Sequence, residues 1–145
     1  MDDTLLSNNT NLTIGGGGWL HAFDLPSHPL MFVSLFSGRE RETEMRADGN
    51  QHLDGLRFGG QLNVDEKTDL FASVGAQVGR YDRENAAFQA YRRDEQYSLN
   101  LGMTWRRFRD WSVKPQLAYS HNDSNLAIYE YDRTDLSVTL RHDFR

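Results

Sequence analysis

Residues 95–107, EQYSLNLGMTWRR, place Tyr97, Leu99, Leu101, Met103 and Trp105 at every second position, with Ser98, Asn100, Gly102, Thr104 and Arg106 between them. A period of two marks a β-strand with unlike faces. A helix would need apolar residues every three or four positions. The same alternation recurs in Leu56, Phe58, Gly60 and Leu62 of 51–64, and in Leu70, Ala72, Val74, Ala76 and Val78 of 68–81. It returns in Trp111, Val113, Pro115, Leu117 and Tyr119 of 111–121, and in Leu136, Val138, Leu140, His142 and Phe144 of 134–144. Residues 10–23 and 28–40 alternate less cleanly, and the Gly15–Gly18 run weakens the first of them. The expectation is an all-β protein of about seven antiparallel strands in a single domain over 1–145, with residues 1–9 disordered.

The connections sort into two kinds. Asp24–Ser27, Val64–Lys67 and Phe108–Asp110 are short; Glu40–Asn50, Asp82–Asp94 and Asn122–Arg133 are longer and charged. They alternate, so all short turns fall at one end of a meander and all long loops at the other. That asymmetry, strands of 11 residues or more, and aromatic residues gathered near both ends fit a transmembrane β-barrel of an outer membrane. The face opposite the apolar one holds Ser, Thr, Gly, Gln, Asn and Arg, as a wet lumen would. Among its charges, Arg57, Arg106, Lys114 and Arg141 could tune anion passage or pair with acids such as Asp54 and Asp143. Seven strands is an odd number, and such a chain starts at the long-loop end and finishes at the short-turn end. The expectation is therefore the C-terminal part of a larger barrel.

Composition narrows the alternatives. Hydrophobic residues make up only 38% of the chain, and no run approaches the roughly 18 apolar residues of a transmembrane helix. The start, MDDTLLSNNTNLT, has neither the basic opening nor the apolar core of a signal peptide. A net charge of -5 argues against a nucleic-acid partner, and the absence of cysteine removes thiolate chemistry. His121 lies near Ser120 and Ser124, but no G-x-S-x-G elbow accompanies them. His21 and His28 bracket a turn without further ligands, and Gly15–Gly18 is followed by no Lys-Ser/Thr. No catalytic residue, cofactor or metal is expected.

The final strand carries a second message. Leu136, Val138, Leu140, His142 and Phe144 resemble the C-terminal signal that bacterial barrel assembly machinery reads, with His142 in place of an aromatic and Arg145 beyond Phe144. Upstream, Trp111, Lys114-Pro115-Gln116, Tyr119-Ser120, Ser124-Asn125 and Tyr129-Glu130-Tyr131-Asp132-Arg133 resemble the end of the surface lipoprotein assembly modifier family and its porin-like relatives, as does Leu101-Gly102-Met103-Thr104-Trp105. The resemblance implies a Gram-negative outer-membrane barrel, non-enzymatic, that translocates or displays lipoproteins. Its partners would be membrane lipid, the assembly machinery and lipoprotein cargo. A diffusion porin, an outer-membrane lipid hydrolase and a soluble β-barrel binding protein are the alternatives. Locally, Pro115 should sit at an irregularity in its ladder. Ser124-Asn125 should form a side-chain-stabilised turn. Tyr129 and Tyr131 should anchor at the interface, with Arg133 pairing nearby acids.

Overall fold

The computed structural model describes residues 10–42, 48–108 and 110–143. The expected disordered lead at 1–9, and Phe144 of the assembly signal, lie outside them. The described residues form seven strands: β1 (Thr10–Ala22), β2 (Leu30–Glu42), β3 (Gln51–Asp65), β4 (Thr68–Asn85), β5 (Ala90–Phe108), β6 (Trp111–Ser124) and β7 (Tyr131–His142). They make one antiparallel sheet in chain order, with β1 and β7 at its edges. The meander follows from the sequence: each alternating run is ended by Gly, Asp or Asn, and short connections return each strand beside the last.

Register fixes the faces, because directly paired residues project to the same side. One continuous row runs Met31, Gly60, Ala72, Leu101, Leu117 and Leu136. The row beside it holds Val33, Phe58, Val74, Leu99 and Tyr119. The opposite face carries Gln77, Gln96, Asn122 and Tyr131 in one row, and Arg57, Gly75, Ser98, Ser120 and Arg133 in the next. The polar face is interrupted towards β2. There Phe36 pairs with Gly55, Phe32 with Gly59 and, further along, Phe71 with Gly102. Each ring occupies the space that a side chain on its glycine partner would fill.

Among the described residues nothing covers the apolar face. Leu136, Val138 and Leu140 are 77%, 62% and 65% exposed. Among the described residues the buried apolar side chains are Leu53, Tyr81 and Leu126 alone, so the sheet is a single layer without a hydrophobic core.

Two connections differ from the reading by sequence. The expected loop at Asp82–Asp94 is mostly strand: β4 continues to Asn85 and β5 begins at Ala90, leaving residues 86–89 as the turn. Charged residues occupy a ladder readily where both faces meet water, and a register shift between Arg80 and Glu84 carries the hairpin past its neighbours. The turn expected at Asp24–Ser27 spans residues 23–29, with His28 at positive φ and Phe23 N–H donating to Pro29 O at 2.8 Å. The contrast between the ends therefore lies in strand overhang as much as in loop length.

Candidate functional site

The long-loop end is held by a charged knot. Arg92, on the β4–β5 overhang, donates to Asp48 at 3.3 Å and to Asp94 at 3.0 and 2.6 Å. Its guanidinium lies over the Tyr129 ring, 3.4 Å from the centroid, and 4.6 Å from that of Tyr81. Asn85 donates to the other oxygen of Asp48 at 2.5 Å. Asp48, Asn85 and Asp94 are only 3%, 4% and 7% exposed, so the charges are withdrawn from water and depend on each other. Burial works against the arginine's charge, yet the hydrogen bonds and charges of Asp94, Tyr81 and Asp48 together outweigh it, and its pKa stands above the ordinary range. Three chain segments meet at this side chain: the turn before β3, the β4–β5 hairpin and the β6–β7 connection.

Two further clasps join these segments. The backbone and side-chain N–H groups of Asn50 donate to the Asp82 carboxylate at 2.8 and 2.9 Å. Those bonds hold the Asp82 pKa below the usual carboxylate range. The Asn50 side-chain oxygen accepts from Glu42 N–H at 3.0 Å. Gly49, at φ +77°, makes the bend before it; a side chain there would meet Arg83. On the other flank, Asn125 copies a strand residue with its side chain. It accepts from Arg93 N–H and donates to Tyr91 O, both at 2.8 Å.

Below the knot, the polar face forms a groove. A depression of about 400 Å³ is lined by Ser34, Phe36, Arg57, Gln77, Gln96 and Ser98. It shares Gln77 and Gln96 with a smaller one of about 130 Å³ bounded by Gln51, Arg92, Asp94, Asn122 and Tyr131. Carboxamides and hydroxyls offer donors and acceptors without net charge. Among the described residues, Arg57 and Lys114 carry no ion pair, whereas Arg106 meets Asp69 at 2.5 Å and Arg141 meets Asp143 at 2.7 Å. Asp54, grouped by sequence with the lumen acids, lies instead in register with Ser37 and Val78 on the apolar face, where it pairs with Arg80 and His52.

The residues singled out by sequence divide between the two ends. Ser124, Asn125 and Tyr129 gather at the knot, Ser124 accepting Leu126 N–H at 3.2 Å as an ordinary turn. Tyr129 and Tyr131 do not form an outward anchor: one ring covers Arg92, and the other takes a hydrogen bond from Gln96 on the polar face at 3.2 Å. Arg133 pairs with Asp135 at 2.7 Å, while Asp132 receives Tyr119 and His121. Gln116 sits mid-sheet opposite Gly102 and Ser137. Pro115 pairs regularly with Val138, but towards β5 the ladder passes from Gly102–Gln116 to Trp105–Val113, skipping it. Its missing N–H thus faces a gap. At the short-turn end Trp111 packs on His142, 4.6 Å between centroids, and Trp19 stacks on His21, which meets Phe23 edge-on. His142 does the packing expected of an aromatic at that position.

A catalytic set does not assemble at His121. Ser120 projects to the opposite face by simple alternation, Ser124 is engaged in its turn, and among the described residues the histidine bonds Asp132 at 3.0 Å. Sequence reading missed Arg92, Asp48, Asn85 and Asp94; the one available signal was an arginine inside an otherwise water-facing stretch.

A profile of the surface lipoprotein assembly modifier family matches residues 29–144, from the turn before β2 through the end of β7. The chain belongs to that family. No curated protein and no solved structure gives a significant match. Family membership connects the sheet with surface assembly of lipoproteins, and the stretch bearing the knot and the polar groove falls within the matched residues.

Proposed function

We propose that this chain forms part of a transmembrane β-barrel in a bacterial outer membrane that moves lipoproteins to the cell surface or displays them there, without catalysing a reaction. The observation that carries the reading is the single-layer sheet, apolar and uncovered on one face and polar on the other. Water would punish the first face and lipid the second; a membrane on one side and a wet lumen on the other satisfies both. The sheet would be part of a larger barrel. β1 and β7 run in the same direction, so antiparallel closure needs an odd number of further strands between them. The edges cannot stay open in lipid.

A lumen lined by Gln, Asn and Ser suits passage of a polypeptide, because it hydrogen-bonds without holding either charge. A diffusion pore is favoured only by the unpaired Arg57 and Lys114. Partners on this reading are membrane lipid, the barrel assembly machinery acting on the closing strand, and lipoprotein cargo. The test is deletion of the gene followed by protease shaving of intact cells. Lipoproteins that keep their total level but lose surface exposure support the proposal; unchanged exposure refutes it. Folding of the chain as a monodisperse monomer without detergent would refute the membrane placement.

A further inference from the structure

Towards the long-loop end, the face that is apolar mid-sheet carries a row of bases. Arg39 on β2 pairs with His52 on β3, His52 with Arg80 on β4, and Arg80 with Arg93 on β5. Four basic side chains therefore stand on one face at one height, neighbours about 5 Å apart, and each is more than half exposed. Along β4 the row runs on into apolar residues, since Arg80 follows Val78, Ala76 and Val74 at every second position, while on β2, β3 and β5 the next residues inward on this face are Ser37, Asp54 and Glu95.

Like charges opposite one another destabilise a sheet, so such a row needs anions. The chain supplies some. Asp54 lies 3.1 Å from Arg80 and 3.4 Å from His52, Glu95 lies 2.7 Å from Arg93, and Asp82 lies 4.0 Å from Arg39. These pairs are solvent-exposed, hence weak and readily exchanged. A guanidinium has five donors, and the pairs use few of them.

Height gives the row its meaning. Ten residues separate Leu70, at the short-turn end of β4, from Arg80. At about 3.4 Å per residue and a tilt near 45°, that rise is about 24 Å, against about 25 Å for the apolar band of an outer-membrane barrel. The bases thus stand where lipid headgroups begin, on the side of the long loops.

We propose that Arg39, Arg80 and Arg93, with His52 among them, form a binding site for a phosphorylated lipid of the leaflet at the long-loop end. The phosphate oxygens accept from the three guanidiniums, and the acyl chains lie along Leu35, Leu56 and Val74. Phosphate fits better than a carboxylate because its several oxygens can meet neighbouring guanidiniums at once. A lipid fits better than free phosphate because the uncovered apolar surface begins on the same face four residues inward, at Leu35, Leu56 and Ala76. The inference rests on the membrane-barrel reading.

The experiment uses the full chain reconstituted in phosphatidylcholine vesicles, with or without diphosphoryl lipid A. Insertion is scored first by protease protection, and lipid retained after mild extraction is then measured by native mass spectrometry. The wild type should retain lipid A in preference to phosphatidylcholine. The R39Q/R80Q/R93Q variant should lose about tenfold of that preference. K114Q/R133Q/R141Q, with the same charge removed from the other face, should keep it. Equal retention by the first variant, or equal retention of dephosphorylated lipid A, overturns the site. Displacement of lipid A by equimolar inorganic phosphate overturns the lipid assignment. Folding as a monodisperse monomer without detergent refutes the barrel reading itself, whereas insertion without preference refutes this site alone.

Discussion

Replacing Arg92 with methionine tests how much of the long-loop end hangs on one side chain. The substitution keeps length and apolar stem and removes the charge. It leaves Asp48 and Asp94, 3% and 7% exposed, without their cation. Removing one partner of a buried pair costs about 3–5 kcal/mol, most of it from the stranded charge. Loss of the cation over the Tyr81 and Tyr129 rings adds about 0.5–2 kcal/mol. Arg92 retains 13% side-chain exposure, which places the sum near the low end, about 4 kcal/mol. At 1.4 kcal/mol per tenfold, local opening should rise by roughly a thousandfold. Hydrogen exchange on the reconstituted protein reads this directly. Amides of residues 81–93 should lose protection by roughly two to three decades, while those of β3–β6 within the apolar band stay slow. The D48N/R92M/D94N variant, which removes the stranded charges, should recover much of the loss. Exchange in the R92M hairpin within about threefold of wild type would refute the knot as the element that holds the loops.

Three further outcomes follow from the same structure. Leu136→Arg puts a charge on the apolar face and should destabilise the membrane-inserted protein by about 2–4 kcal/mol, seen as lost heat-modifiable migration; in a water-facing sheet it would be near neutral. Asn125→Ala removes both side-chain bonds to the β5 backbone and should cost about 1–3 kcal/mol locally, read as faster proteolysis within residues 125–130. Asp82 has its folded pKa depressed by Asn50, so its contribution is present above the unfolded value near 3.9 and is lost as pH falls through the folded one. Hydrogen exchange of the amides of residues 80–83, taken relative to the intrinsic rate at each pH, should show constant protection from about pH 5 to 8 and lose it only below about pH 4, and D82N should already show the loss at neutral pH.

All seven strands were legible because period two is written locally: Tyr97 to Trp105 declares its face without reference to any other segment. Strand ends were less so. Arg80 to Asn85 and Ala90 to Asp94 are charged, and charge in sequence looks alike in a loop and in a strand standing in water. Asp54 was placed on the wrong face because chemistry was weighed above parity; it shares the even positions of Leu56 and Phe58. The Arg92 knot was illegible for a deeper reason. Asp48 and Arg92 are 44 residues apart, and only the accumulated register of the two hairpins between them, β3–β4 and β4–β5, brings them together. His142 looked like a defect in a terminal signal until its contact with Trp111, 31 residues upstream, gave the imidazole an aromatic's task.

The absence of a core has a thermodynamic consequence. A globular domain carries its own apolar interior, so its stability belongs to the sequence at a given temperature. Here the side chains that would form that interior, Leu117, Leu136 and Val138 among them, are turned outwards. Whatever touches them supplies the missing half of the transfer free energy. A free energy of folding for this sheet is therefore a property of a mixture, and it changes with chain length and thickness of the surrounding lipid even when not one residue does.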